Sequence, residues 1–236
     1  MALPTTSELF TGTGTANARA LRDAVDGALA SLPDTDSFVL LAAGDEGLVH
    51  DASGAVVAPD GVPPLRAELH HDETLLGALA SRGQIPRVRN DWLHGSLAAL
   101  ALLVHAVQPR AGVQSITLPR AAGWQALEAT AAGIVGAARA TDRRIVLVAA
   151  GDLAAVGDEP TRAAAWDEAA VAAVRTGDTE TLAGLGPSAA AACQAAGWAP
   201  LTVLISAFGA NRPFTSLDYR VVEGTGRLVA HGEPTA

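Results

Sequence analysis

Few residues in this chain have the type and setting to do chemistry. Asp152 follows Gly151 at the end of the apolar run Ile145–Ala150, and α/β proteins place reactive groups at the carboxyl end of such a core strand. The residues just beyond it, Ala154 and Ala155, carry no functional group. His94 stands in NDWLHGS (Asn90–Ser96), beside Asp91 and Trp92 and ahead of an apolar helix. A neutral imidazole there can serve as a general acid–base, or it can cap the helix and pack on Trp92. The densest cluster of metal-ligating types is LHHDE (Leu69–Glu73). Adjacent side chains such as His70 and His71 point in different directions, and there is no H-E-x-x-H spacing, so a solvated helix start is the favoured reading. Cys193, in AAACQAAG, has no cationic neighbour to stabilise a thiolate and reads as a small buried hydrophobe. His105 falls inside a helical pattern, as a core or interface residue. FTGTGTANA (Phe10–Ala18) is glycine-rich but lacks the G-x-G-x-x-G spacing, so it reads as a loop with Thr15 or Asn17 capping a helix.

Composition narrows the chemistry further. All 16 basic residues are arginine, which excludes a Schiff-base lysine and a phosphate-loop lysine. The net charge of −9, without a basic run, argues against nucleic acid and anionic membranes as partners. A single cysteine excludes an intramolecular disulfide and any multi-cysteine zinc site, and fits a reduced cytoplasmic setting. No signal peptide is legible at the N-terminus. The longest apolar stretch, Leu97–Val107, is too short to span a bilayer.

The elements that must hold these residues alternate through the first two-thirds of the chain. Helical spacing covers Asn17–Leu32, Asp72–Gly83 with Asp72 as cap, His94–Val107, Ala121–Ala140 and Pro160–Asp178, followed by short helices over Thr179–Leu185 and Ser188–Ala196. Apolar strand patterns cover Ser37–Gly47, part of Gly54–Pro64, Gly112–Pro119 and Ile145–Ala150. Pro200–Phe208 fits a buried helix or a strand. Leu217–Gly232 reads as a terminal hairpin around Gly224–Thr225–Gly226. With 236 residues and no linker or repeat, the pattern predicts one layered α/β domain over 1–236, its central sheet mainly parallel or mixed and flanked by helices.

The order of these motifs resembles the class III extradiol ring-cleavage dioxygenases, the LigB-like superfamily that includes the Memo-type proteins. The similarity is best from Ile145 to Ala210. Gly151–Asp152–Leu153 looks like the start of the family's G-D-L-S-H strand end, and Trp166–Asp167 like its W/F-D pair. Gly177–Asp178 with Leu182 looks like its G-D-x-x-x-L helix, and Gly197–Trp198 like the glycine before a long apolar helix. His94–Ser96 looks like its H-G segment. The resemblance implies a LigB-like fold, with Fe(II) held by two histidines and a carboxylate and a further histidine as acid–base. This chain departs at each of those places. The serine and histidine of G-D-L-S-H are Ala154 and Ala155. No histidine precedes His50. The second-ligand position falls in LLAAGDEG (Leu40–Gly47), and the C-terminal ligand position falls at Ala196, with Cys193 an alternative.

The resulting expectation is a divergent, catalytically inactive relative with no cofactor, which binds a small aromatic molecule or a protein through the old pocket and forms a homo-oligomer or pairs with another protein. Two other readings stay open: an active extradiol dioxygenase using Fe(II), or a related metal-dependent oxidoreductase, with a centre rebuilt from His50, His70, His71 and His94 and nearby Asp91 or Glu73; and a subunit supporting a catalytic partner. The pocket is expected to bring Asp91, Trp92, His94, Gly151 and Asp152 to one cleft, with Ala154 and Ala155 in its wall.

Overall fold

The computed structural model describes residues 1–5, 8–11, 15–59, 63–83, 85–155, 157, 159–209, 212–214 and 216–232. Its elements, in chain order, begin with β1 (Ala2–Leu3), α1 (Glu8–Thr11), α2 (Ala16–Ala30), β2 (Ser37–Gly44), β3 (Leu48–Val57) and β4 (Leu65–Glu68). There follow α3 (Glu73–Gly83), β5 (Arg87–Leu93), α4 (Gly95–Val107), β6 (Gly112–Pro119), α5 (Trp124–Thr141), β7 (Ile145–Ala150) and β8 (Asp152–Ala155). The chain then runs through α6 (Pro160–Thr176), α7 (Thr179–Ala192), α8 (Trp198–Phe208), β9 (Ser216–Val222) and β10 (Thr225–His231).

The strands make one mixed sheet in the order β4-β3-β6-β2-β7-β1-β10-β8, with β5 paired to β3 and β9 to β10. Its centre, β6-β2-β7-β1, is parallel: Ser37 lies opposite Gly112 and Ile145, and Ala2 opposite Ala149. Antiparallel strands flank it, β3 on β6 and β10 on β1. The central strands read as unbroken apolar runs because both of their faces are covered. Along β2, Phe38 and Leu40 pack with α2 and α4, including Leu21, Leu100 and Val104. Val39 and Leu41 face the other way, into a second cluster with Leu76 of α3, Ile134 of α5 and Leu201 of α8. The single layered α/β domain expected from the alternating pattern is therefore what forms, with a helical layer on each face of a mixed sheet.

Local signals fix most helix ends. Thr15 accepts from the Ala18 amide at the start of α2, Asp72 from Leu75 at the start of α3, and Asp178 from Thr181 at the start of α7. The segment Thr179–Ala192 holds two helical pieces separated at Gly186, which has φ 66°, in accord with the two short helices expected there. The ambiguous Pro200–Phe208 run is helical, within α8.

Four readings change. The hairpin turn is Glu223–Gly224, both at positive φ, because Val222 pairs with Thr225; Gly226 lies inside β10. There a Cβ would come within 2.1 Å of Asp167 Oδ2, so the glycine serves a close approach rather than a turn. β3 begins at Leu48, six residues before the expected arm, and β4 and β5 were not expected as strands. Both are exposed and charged, so their sequences lack the apolar alternation by which half-buried strands are recognised. Asp91 and Trp92 consequently sit on β5, not at a helix start. Finally, the residues after Gly151 are a strand, β8, which leaves the parallel sheet to pair with β10. Parts of the Phe10–Ala18 and Pro59–Pro64 loops, residues 12–14 and 60–62, lie outside the described residues.

Candidate functional site

The parallel strands end at Leu3, Gly44, Pro119 and Ala150, and the candidate residues gather beyond those ends. Asp152 is only 8% exposed. Its carboxylate receives the Thr5 amide (3.0 Å), the Thr5 hydroxyl and the Arg227 guanidinium (2.6 Å). A carboxylate with three donors is held in one orientation by them. The Thr5 hydroxyl also touches Ser96 Oγ at 3.1 Å. Since the Thr5 proton goes to the carboxylate, Ser96 donates in that contact, giving a relay Ser96–Thr5–Asp152.

His94 occupies the N-cap position of α4, but its imidazole makes no cap hydrogen bond. It borders a groove of about 610 Å³ with Thr5, Arg66 and Ser96. Trp92 lies on β5, just before His94. Its ring covers Gly54 and faces the Arg66 guanidinium at 5.8 Å.

A second cavity of about 400 Å³ opens at the carboxyl ends of β2 and β6, against the start of α8. Ala43, Ala195, Ala196 and Trp198 make its apolar wall, and Arg120 and Gln194 are its long polar side chains. Arg120 has no carboxylate partner among the described residues. The sequence reading missed this cavity; the one available signal was an arginine directly after the strand-ending Pro119.

Asp152, Ala154 and Ala155 line neither of these two cavities, so the expected common cleft is not formed as drawn. Ala154 is fully buried in the larger apolar cluster, and its amide donates to Asp167 Oδ1 at 2.8 Å. Ala155 donates to the Cys193 carbonyl at 2.9 Å. Gly197 presses on the same strand: its amide donates to the Asp152 carbonyl at 2.5 Å, and a Cβ there would lie 2.6 Å from that oxygen. The space beside β8 is filled by α6 and the turn before α8. Ala154→Ser is therefore expected to place a hydroxyl in packed apolar surroundings and to cost about 1–3 kcal/mol in urea unfolding. Ala155→His, at a partly exposed position, is expected to cost less. Equal, negligible losses for both would show an open pocket beside β8.

Asp167 is a second buried carboxyl. It is 4% exposed and accepts from the Ala154 amide and from Tyr219 Oη (2.6 Å). Burial pushes its pKa above the ordinary carboxylate value, against the opposing pull of those two donors. The Tyr219 hydroxyl is pushed well above its own usual value by burial and by the adjacent carboxylate.

The histidines are engaged separately. His50 contacts Asn90 Oδ1 (3.0 Å) through Nδ1 and Thr117 Oγ1 (3.1 Å) through Nε2. His71 Nδ1 contacts the Val113 carbonyl at 3.1 Å, and His70 is exposed. Asp72 caps α3 and pairs with Arg143, and Glu73 pairs with Arg87, so LHHDE is spent on a helix start and its ion pairs. His105 lies partly exposed in the last turn of α4, and Cys193 is buried at the end of α7. Among the described residues no three His, Cys, Asp or Glu side chains converge as metal ligands. Ala154, Ala155 and Ala196 offer no donor atoms either, so these positions do not fit Fe(II).

The arrangement defines a three-layer α/β protein with cavities at the carboxyl ends of its parallel strands. No family model matches the chain, and no curated protein matches it. Among solved structures it is similar to the crystal structure of an uncharacterized protein, JW3007, from Escherichia coli K12. The two share 15% identity, with a TM-score of 0.62, over 89% of this chain and 91% of the other. That likeness is one of fold. No helix among the described residues is long and apolar enough to cross a membrane.

Proposed function

We propose that this protein is a non-catalytic relative of the class III extradiol dioxygenases that binds a small aromatic molecule in the cavity between β2, β6 and the start of α8. One observation carries the reading. Ala196, where the resemblance puts one metal ligand, borders the same cavity as Ala43 of LLAAGDEG, the segment in which it puts a second. An enzyme site stripped of its ligands in this way keeps its shape but loses the groups that would hold iron and polarise O₂. What remains is an apolar wall with a single cation, Arg120, which suits a flat ring bearing one negative group.

The test is calorimetric titration with benzoate, and with benzamide as its neutral isostere. Benzoate is expected to bind and benzamide to bind more weakly. Ala196→Phe, which fills the cavity, is expected to abolish binding, and Arg120→Met to remove the preference for the acid. Binding that Ala196→Phe leaves unchanged would move the ligand elsewhere. Stoichiometric uptake of Fe(II), lost in His94→Ala or His70→Ala, would replace this reading with a metal enzyme whose centre has been rebuilt.

A further inference from the structure

We infer that the outer edge of β5 pairs with β5 of a second copy of this chain, antiparallel and centred on Asn90, to make a two-fold symmetric dimer with a continuous sheet. Among the described residues β5 pairs only with β3, in parallel, from Val49 opposite Arg87 to Ala55 opposite Leu93. The Val49 amide donates to the Pro86 carbonyl at 2.9 Å. Residues in a strand alternate, so the peptide groups of Arg87 and Arg89 turn away from β3 and are available to another strand.

The side chains along this edge are self-complementary. Antiparallel pairing about Asn90 sets Arg89 opposite Asp91 of the partner subunit, twice by symmetry. The side chains of Arg89 and Asp91 have no partner among the described residues, and both residues are exposed. The Asp91 carbonyl accepts from the Ser53 hydroxyl at 2.7 Å and keeps its second lone pair for the partner strand. The neighbouring Arg87 is already held by Asp51 (2.6 Å) and Glu73 (3.0 Å), so it adds no unpaired charge. On the other face the same register puts half-buried Val88 opposite Trp92 of the partner subunit. Trp92 is 37% exposed, one of four large apolar side chains open to solvent among the described residues. Registers shifted by one or two residues lose the match: centring on Val88 sets Arg87 against Arg89, like charge against like. The alternative use of edge charges, to repel other strands, calls for one sign rather than a complementary pair.

The experiment is sedimentation velocity on the full chain over a range of concentrations. The unmodified protein is expected to move from a 23.8 kDa monomer to a dimer as concentration rises, with the dimer weakened by salt. Arg89→Asp alone and Asp91→Arg alone are each expected to weaken it about tenfold or more. The double exchange R89D/D91R restores the complementary pair and is expected to restore the dimer. Asn90→Cys, where the two-fold brings backbones to about 4.5 Å, is expected to cross-link under mild oxidation, and Arg87→Cys is not. These positions are on the surface, and circular dichroism checks that each variant is folded. A protein that stays monomeric, or a dimer indifferent to both single reversals, overturns the proposal. Ligand binding in the cavity is measured separately and does not depend on the outcome.

Discussion

Replacing Asp152 with alanine is expected to lower the unfolding free energy by about 3 kcal/mol, within the range for breaking a buried ion pair from one side. The side chains of Asp152 and Arg227 are only 11% and 16% exposed, so water compensates little. Arg227 would be left charged and unpaired, with its Nε already buried without an acceptor, and the Thr5 amide would lose its partner. The double replacement Asp152→Leu with Arg227→Met removes both charges and is expected to cost less than the single change. Urea unfolding of the unmodified protein, Asp152→Leu, Arg227→Met and the double replacement measures the coupling. A loss below about 1 kcal/mol for Asp152→Ala, the level of a surface pair, would mean that the carboxylate is solvated and free for chemistry. The question raised by Gly151–Asp152 would then reopen in favour of an active site.

Asp167 ties three elements together: its own helix α6, the β8 amide of Ala154 and Tyr219 of β9. Asp167→Ala leaves a buried amide and a partly buried hydroxyl without an acceptor, at about 1–3 kcal/mol for the amide and less for the hydroxyl. Asp167→Asn keeps an oxygen for Ala154 and can donate to Tyr219, so a small change is expected. The pair also predicts a pH dependence. Because burial raises the native pKa of Asp167 above the unfolded value of 3.8, the folded state binds this proton more tightly. Its contribution to stability is fully present below about pH 3.8 and is lost as pH rises through the raised native value. Asn does not titrate. The stability of the unmodified protein minus that of Asp167→Asn should therefore grow as the solution is acidified from neutrality. A difference that shrinks on acidification would show that the two hydrogen bonds outweigh burial and hold the pKa down.

The two aspartates were legible to different degrees. Asp152 stands in an otherwise apolar stretch, and a charge in such a stretch signals a buried partner, whereas Asp167 sits beside Glu168 in a helix of mixed composition and carries no such signal. For Asp152 a partner of the right kind was visible: Arg227 is the one charged residue in the apolar end of the terminal hairpin. Nothing in the sequence joined the two, since 75 residues separate them. Asp167 was noticed only through the resemblance, and its link to Tyr219 emerges when α6 is laid over the hairpin.

Periodicity and capping residues determined the long helices, three of the four parallel core strands (β2, β6 and β7, but not the two-residue β1) and the layered α/β class, because burial on both faces writes itself into a continuous apolar run and helical burial into spacings of three and four. The types present also determined what the chain lacks, namely lysine chemistry and histidines at the places where the resemblance requires them. Tertiary structure alone decided the rest. It paired the charged strands β4 and β5 with β3, since edge strands bury too little to show a pattern. It turned β8 away from the parallel sheet to β10, and so placed Ala154 in packed core instead of a cleft wall. It also brought Ala43 and Ala196, 153 residues apart along the chain, to one cavity. Such convergence depends on how strands are ordered in the sheet, and strand order is set by long-range packing that no local stretch of sequence records.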